Sequence, residues 1–436
     1  MTTTSRVVAA KSTVPPAVTP WFTKRQASSR VSTRAFTSVI AGTRHDAGIV
    51  HTAAENSGGL SGLVLAYAGF TFSAAAIGDV ACAYDKTITG CSIEYPLGQI
   101  NRVTFGGANG ILVPGGVNSL VYSDQVLDSV TGKVLKIPAG AKFIEHVSYT
   151  RSDGGTTWDM PQEVWNSFDG NSDPNLGEYS NYHTGADASQ TAFAANPYKA
   201  INLRQAWGAC GIFADGVAPF VSVLIDGDSI ATGSGGDNTT VKIENTGYVA
   251  RGLGSNVAGG SGCVIPYMRM TCPQASLDSS INSQGSYSLM ANGRVTHVIQ
   301  EMLINNVFGS NSFEMIQSKL LTQWLLWRAR GVKVIQCTAL PATDSTDGWA
   351  TVANQTVRAT EAVRVKINDW IRTVPWPLEA VFDAADRVEV DASGALARNG
   401  GRWIVSLGQP TPDGTHPSPV VAAAAAAAID KTKLFL

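Results

Sequence analysis

One segment limits the fold of this chain more than any other. Residues 220–225, with the sequence FVSVLI, form an apolar run that leads directly into Gly227, Asp228 and Ser229. Strict alternation of apolar and polar residues would indicate a strand with one face exposed to solvent. A run of this kind instead predicts a parallel strand that is buried on both faces. Because such a sheet needs helices on both sides, we predict an α/β architecture after residue 216.

The segments that follow residue 225 support this prediction by alternating between strand and helix patterns. Further strands are predicted within residues 295–304, 332–341 and 379–385. A helix is predicted where four apolar residues share one face and Gly331 follows as a stop; these residues are Ile316, Leu320, Trp324 and Trp327. A second helix is predicted over residues 351–373, and a third in the alanine-rich C-terminal tail.

The first half of the chain has a different pattern. Residues 60–215 contain short pieces rich in Thr, Val, Ile and Tyr, with turn residues every 8–12 positions, which is typical of a β-sandwich or jelly roll. We therefore predict a basic, Ser/Thr-rich arm over residues 1–55, a β domain over 56–216 and an α/β domain over 217–436.

The predicted arm is basic, and its role is open at this stage. The first 50 residues contain seven Lys or Arg against one acid, Asp46, and they lack the apolar segment that a Sec signal requires. An organelle transit peptide, an arm that docks on a partner protein and a merely solvated tail all fit this composition. We prefer the docking arm.

Charge and cysteine content exclude several classes of protein. A net charge of -2, with 15% charged residues, argues against general nucleic-acid binding. The sequence has no run of 18 apolar residues, so we predict no transmembrane helix. The low charge and abundant Gly suit an extracellular or virion-associated protein, which can also be a homo-oligomer. The six cysteines lack the spacing of a zinc site. Cys82/Cys91 and Cys263/Cys272 either form disulfides in an oxidising compartment or remain idle thiols.

Ser229 is the candidate nucleophile. It follows the predicted buried strand, and the carboxyl ends of parallel strands are where open α/β sheets place their functional residues. A serine hydroxyl needs a base within hydrogen-bond range to act as a nucleophile at neutral pH. The tripeptide Gly-Asp-Ser alone is a weak motif, and its position after the strand gives it weight.

His416 is the candidate base, with Asp413 three residues before it in the sequence DGTHP. This spacing lets one short turn bring the carboxylate to one ring nitrogen while the other nitrogen faces the serine. The alternative is a histidine beside an ordinary Asp-Gly turn.

These segments together resemble the SGNH (GDSL-type) hydrolase family. Gly227-Asp228-Ser229 matches its first block and Asp413-x-x-His416 its last, and Asn305 stands at the position of its oxyanion asparagine. Gly259 or Gly260 supplies the glycine of the second block, and we choose Gly259. The family's glycine and aspartate around the asparagine are Leu303 and Asn306 here, which puts the geometry of Asn305 in doubt.

The resemblance, which covers about residues 218–436, implies a flavodoxin-like three-layer α/β/α domain with a parallel sheet, preceded by a β-sandwich as in carbohydrate esterases. It implies acyl transfer through an acyl-enzyme, without metal or other cofactor. Ser229 would be the nucleophile, His416 the base and Asp413 its orienting acid. The oxyanion hole would comprise the backbone amides of Ser229 and Gly259 and the side chain of Asn305.

The expected substrate is an acetylated polysaccharide, and the basic arm suits a protein carried by a larger assembly such as a phage tail or virion. Two alternatives remain open at this stage. One is a structural or glycan-adhesion subunit whose hydrolase domain is weak or inactive, because a fold does not guarantee a reaction. The other is a lipase for long acyl chains, for which no amphipathic lid is apparent.

Overall fold

The computed structural model describes residues 25–26, 31–32, 35–36, 44–74, 77–82, 84–152, 160–161, 179–183, 207–216, 221–235, 247–254, 265–290 and 293–435. Within these ranges no helix is long and apolar enough to cross a membrane.

The N-terminal half is built almost entirely from strands. In chain order they are β1 (Arg25–Gln26), β2 (Val31–Ser32), β3 (Ala35–Phe36), β4 (Arg44–Thr52), β5 (Leu60–Ala68), β6 (Phe70–Ser73), β7 (Gly78–Ala81), β8 (Lys86–Glu94), β9 (Ile100–Arg102), β10 (Ile111–Val113), β11 (Leu120–Tyr122), β12 (Lys136–Ile137), β13 (Lys142–Arg151), β14 (Met160–Pro161), β15 (Tyr179–His183) and β16 (Gly211–Gly216). A single 3-10 turn, Glu55–Ser57, lies among the described residues of this half.

Eleven of these strands form two main antiparallel sheets. One has the order β1-β16-β5-β11 with β12 also on β5, and the other has the order β10-β8-β13-β4-β15 with β9 also on β8. Their side chains meet in one buried cluster. Within it, the hydroxyl of Tyr67 on β5 donates to Glu145 on β13 at 2.8 Å. The two sheets therefore face each other at this point.

The C-terminal half alternates strands with helices. Its strands are β17 (Val223–Gly227), β18 (Tyr267–Thr271), β19 (His297–Gln300), β20 (Lys333–Cys337), β21 (Thr343–Ser345), β22 (Gln355–Val357), β23 (Ala380–Phe382), β24 (Glu389–Val390) and β25 (Arg402–Trp403). Its helices are α1 (Tyr248–Gly254), α2 (Leu277–Ile281), α3 (Gln284–Met290), α4 (Ile304–Phe308), α5 (Phe313–Arg328), α6 (Glu361–Arg372) and α7 (Pro419–Ala426), with 3-10 turns at Ala385–Arg387 and Lys431–Leu434.

A parallel sheet forms the centre of this half, in the order β2-β18-β17-β19-β20-β23. The five strands contributed by this half have the order 2-1-3-4-5, which is the flavodoxin-like arrangement. The α/β prediction with a parallel sheet is thereby confirmed. The sixth strand, β2, comes from the N-terminal segment and pairs in parallel with β18.

Alternate residues of the central strands enter two different cores, as the apolar run predicts. Leu224 and Val298 lie in one cluster with α5 and α6, and this cluster continues into the N-terminal sheets. Ile225 and Ile299 lie in the other cluster with α1 and α7. Both faces of the sheet are covered, which is the environment that favours apolar strands.

Two sequence predictions differ from the structure, and one alternative that the sequence left open is decided. The predicted arm over residues 1–55 is wrong in the part that the structure describes, because β1, β2, β3 and β4 all pair with other strands. The helix predicted over residues 351–373 begins only at Glu361, since β21 and β22 form a hairpin before it. Cys82 and Cys91 form no disulfide. Cys263, the predicted partner of Cys272, lies outside the described residues.

The two halves are joined by a polar contact at Asp79 on β7. Its carboxylate accepts hydrogen bonds from the amide and the hydroxyl of Ser286 in α3, both at 2.8 Å. Beside it, Gly285 approaches Phe70 and Val117 so closely that a Cβ would overlap the Val117 carbonyl oxygen. Burial raises the pKa of Asp79 from 3.8 to about 6, although hydrogen bonds from Ser286 and Gly285 oppose the shift.

This contact predicts a pH-dependent stability. Between the unfolded and folded pKa values, the folded protein retains a proton on Asp79 that the unfolded chain has released. The contribution of Asp79 therefore falls as pH rises from about 4 to about 6. We expect wild type to gain stability relative to Asp79→Asn when pH is lowered from about 7 to about 4, measured by urea unfolding at both values.

Asp124→Asn is a control for which we expect the opposite change of stability with pH. Desolvation raises the pKa of Asp124, but the Thr104 hydroxyl and the amides of Gly107 and Gly106 outweigh it, so the net pKa is lowered. Wild type should therefore lose stability relative to this variant as pH falls. The same pH trend in both variants would contradict the assignment at Asp79.

Candidate active site

The nucleophile turn begins where β17 ends. Gly227 is the last strand residue, and a Cβ at this position would overlap Ala231, so the turn can close this tightly only at glycine. The carboxylate of Asp228 accepts from the Ile230 amide at 2.9 Å and fixes the turn. Ser229 is 7% exposed and lies at the carboxyl edge of the sheet. This is the location that the sequence predicts.

Ser229, His416 and Asp413 form a continuous chain of hydrogen bonds. His416 Nε2 lies 2.7 Å from Ser229 Oγ, and Nδ1 lies 2.6 Å from Asp413 Oδ2. With its proton on Nδ1, the ring donates to the carboxylate and accepts from the serine hydroxyl. The structure thus brings together the three residues that the sequence names.

The Asp413–His416 turn is shaped by its own carboxylate. Asp413 Oδ1 accepts from the amides of Thr415 and His416, each at 2.9 Å. Gly414 has φ +81, and a Cβ there would overlap the Thr343 carbonyl oxygen, so this position needs glycine. Its carbonyl accepts from the Trp403 indole and from the Thr343 amide, both at 3.0 Å.

The pKa of Asp413 is lowered. Partial burial acts to raise it, but hydrogen bonds from the His416 ring and from the amides of His416 and Thr415 outweigh that effect. Asp413 therefore stays ionised at neutral pH. An ionised carboxylate at this position holds the imidazole in one tautomer and stabilises the imidazolium that forms during proton transfer.

Asn305 follows the strand that neighbours the Ser229 strand. It belongs to α4, which follows β19, and β19 pairs directly with β17. Its Nδ2 donates to the Ala275 carbonyl at 2.9 Å, and an amide nitrogen carries two hydrogens, so one N–H remains for another acceptor.

The two departures from the family pattern are accommodated. Leu303 has φ -155, so this position does not need the conformational freedom of glycine. Asn306 replaces an acid, and its side-chain oxygen accepts from the Leu277 amide at 2.9 Å.

A turn after β18 is the site feature that the sequence analysis missed. Gly259 and Gly260, our candidates for the oxyanion glycine, lie outside the described residues. The described segment beside the nucleophile is instead Cys272 to Ala275, because the Cys272 amide donates to the Gly227 carbonyl at 3.2 Å. Pro273 and Gln274 are the central residues of this turn, which the Ala275 amide closes onto the Cys272 carbonyl at 3.1 Å.

Gln274 has φ +68, as the third residue of a type II turn requires. Its N–H has no acceptor within the described part of the chain. The carbonyl of the next residue, Ala275, accepts a hydrogen bond from the Asn305 side chain. The backbone at Gln274 therefore lies beside Asn305, the candidate oxyanion residue. Gln274 was not predicted because the family's residue at this place is a glycine. The one sequence signal for the turn is Pro273, since proline is common at the second residue of such turns.

Two buried carboxyl groups lie beneath the nucleophile turn. Asp228 is fully buried and Glu301 is 5% exposed, and Glu301 accepts from the Asp228 amide at 3.4 Å. Burial raises the pKa of Asp228 to about 6, and burial together with the Asp228 charge raises that of Glu301. The Leu303 amide acts to lower the pKa of Asp228 against the effect of burial, so this carboxyl group lies near the segment that carries Asn305.

Within the described ranges, no group of three or more His, Cys, Asp or Glu is arranged to hold a metal ion.

Comparison with known proteins gives structural likenesses only. No family profile matches the sequence, and no curated protein matches it. Similar solved structures include a member of the lipolytic protein G-D-S-L family from Veillonella parvula, at 12% identity and TM-score 0.30, covering 47% of this chain and 94% of that one. A carbohydrate acetylesterase family member from Sinorhizobium meliloti has 12% identity and TM-score 0.35, covering 50% and 100%.

A third similar structure extends over most of this chain. It is a salicylyl-acyltransferase from a tetracycline biosynthetic pathway, with 10% identity and TM-score 0.31, covering 88% of this chain and 80% of that one. At these TM-scores the likenesses decide nothing about activity, which has to be argued from the site itself.

The strained turn predicts a stabilising substitution. Because a side chain at positive φ costs free energy that glycine avoids, Gln274→Gly should raise the free energy of unfolding by about 1 kcal/mol. The backbone N–H remains in place, so activity should be kept. Thermal unfolding of Gln274→Gly beside Gln274→Ala measures this effect. The alanine variant keeps the backbone strain and should gain nothing, and equal shifts in both variants would contradict the interpretation.

Proposed function

We propose that this protein is a serine ester hydrolase that works through an acyl-enzyme. The observation that carries the proposal is the hydrogen-bonded chain from Asp413 through His416 to Ser229 at the carboxyl edge of a parallel sheet. A serine in such a chain is activated as a nucleophile, and one without it is not.

The reaction follows from the roles of these three side chains. His416 Nε2 takes the proton of Ser229 as Oγ attacks the ester carbonyl. The tetrahedral intermediate then expels the alcohol, which receives that proton from His416. Water, deprotonated by His416, attacks the acyl-serine and releases the carboxylic acid and the free serine. Asp413 stays ionised throughout and orients the ring.

The developing oxyanion needs preorganised donors, and we assign three. They are the backbone N–H of Ser229, the free N–H of the Asn305 amide and the backbone N–H of Gln274. The Ser229 and Gln274 amides have no acceptor within the described residues. Gln274 takes the place that the sequence analysis gave to Gly259. Each such donor contributes about 10²- to 10³-fold in rate.

We further propose that the acyl group is acetyl and that it is removed from a polysaccharide. The support is the arrangement of the chain, in which two antiparallel sheets share one buried core with the α/β half. We propose that these sheets form a β-sandwich that shapes the cleft or binds glycan. The low charge supports a role outside the cell or on a virion, and the basic residues before β1 would then contact a partner protein.

The first prediction for this function concerns Ser229. Ser229→Ala removes the nucleophile and should lower kcat for p-nitrophenyl acetate by about 10⁴-fold or more, with unchanged thermal unfolding. Activity should also fall as the acyl chain is lengthened beyond butyrate. Equal background rates in folded wild type and variant, on both p-nitrophenyl acetate and acetylated xylan, would favour a non-catalytic glycan-adhesion subunit.

A second prediction concerns the oxyanion donors. Asn305→Ala should lower kcat by about 10²- to 10³-fold with little change in KM, because the lost hydrogen bond forms only in the transition state. Steady-state kinetics with p-nitrophenyl acetate measure both parameters. Asn311→Ala is the matched control, since Asn311 donates only to the Asn306 carbonyl, at 2.7 Å, among the described residues. Equal kinetics in the two variants would exclude Asn305 from the oxyanion hole.

A further inference from the structure

Arg358 lies between the β21–β22 hairpin and α6, beside the turn that carries His416. The hairpin packs on this turn, since the Thr343 amide donates to the Gly414 carbonyl at 3.0 Å. The Arg358 side chain is 27% exposed, so most of its contacts are with the protein. The reaction as described above gives this residue no role.

The guanidinium contacts two of the four residues of the Asp413–His416 turn. Its Nη1 donates to Thr415 Oγ1 at 3.0 Å, and its Nη2 donates to the Asp413 carbonyl oxygen at 3.4 Å. Trp403 and Thr343 hold the Gly414 carbonyl. Arg358 is thus the side chain that holds the residues on either side of Gly414.

The same guanidinium reaches the helix of the candidate oxyanion residue. It lies over the ring of Phe308 at 4.9 Å from the centroid, and Phe308 ends α4, the helix that contains Asn305. Its Nε donates to Asp344 in the hairpin at 3.3 Å. The planar Arg358 guanidinium therefore contacts the Asp413–His416 turn, the β21–β22 hairpin and α4 at the same time.

We infer that Arg358 is a positioning residue. It holds the Asp413–His416 turn in a fixed position relative to α4, the helix that contains Asn305. This inference rests on the proposed function. Arginine suits the task because its fixed fork donates in several directions and its face stacks on an aromatic ring. A lysine is a single point charge, so Arg358→Lys can retain only part of this set of contacts.

The test compares variants of the full chain on p-nitrophenyl acetate. Arg358→Ala should lower kcat/KM by about 10- to 100-fold, mainly through kcat, because a misplaced base costs rate rather than binding. Arg358→Lys should lie between this variant and wild type. Arg328→Ala is the matched control: Arg328 pairs with Glu379 at 2.8 Å, with both side chains about one third exposed, and should change nothing.

Thr415→Val supplies a second route to the same contact: if Arg358→Ala does not fold, Thr415→Val alone should still lower kcat/KM, and wild-type kinetics in this folded variant would then overturn the inference. This substitution removes the hydroxyl acceptor while conserving shape. In a double-mutant cycle, Arg358→Ala and Thr415→Val should be non-additive in kcat/KM, because they break one interaction. Additive effects, or wild-type kinetics in folded Arg358→Ala, would overturn the inference.

A spectroscopic measurement separates failure of this inference from failure of the proposed function. We expect the Nδ1 proton between His416 and Asp413, which lie 2.6 Å apart, to give a low-field proton NMR signal that can be observed without substrate. We expect the signal to broaden and exchange faster with solvent in Arg358→Ala and in Thr415→Val, but not in Arg328→Ala. An unchanged signal would overturn the positioning role. Equal esterase rates in wild type and Ser229→Ala would instead remove the proposed function.

Discussion

Burial of strand β17 on both faces is the constraint on which the rest of the site depends. Its alternate residues enter two separate cores, so helices have to cover both sides of the sheet. In the part of the chain that the structure describes, helices cover both faces of the sheet, and Ser229, Asn305 and the Gln274 turn all follow the ends of neighbouring strands. The position of the site is thus a consequence of how the sheet excludes water.

Much of this architecture could be predicted from the sequence, because it depends on local patterns. The apolar run before Gly227 indicates a parallel strand, and the spacing of Ile316 and Leu320 indicates the helix that covers it. Asp413 and His416 are three residues apart, so their contact is also local. The contact of His416 with Ser229 spans 187 positions in the sequence, and it depends on the order of the strands in the folded sheet. The structure places the three together, and their catalytic role stays a prediction.

Gln274 and Arg358 are two residues of the site that could not be predicted from the sequence. Gln274 has no residue-type signal, since its place in the site comes from a backbone angle rather than from its side chain. Arg358 lies at the end of a hairpin that the pattern presents as part of a helix, and its partners Thr415 and Phe308 are distant in the chain. The boundary at residue 55 failed for a similar reason, because β4 gains its partners only in the folded sheet.

Strand β2 has a consequence for how the molecule is assembled during synthesis. Val31–Ser32 is synthesised well before the strands of the second half, yet it pairs at the edge of the sheet that those strands form. Domains generally fold in the order of their synthesis. Here the α/β half cannot finish its sheet from its own sequence, and a fragment that starts at residue 217 would leave β18 as an open edge. An open edge is a template for association with other chains, so the N-terminal segment protects this half from aggregation.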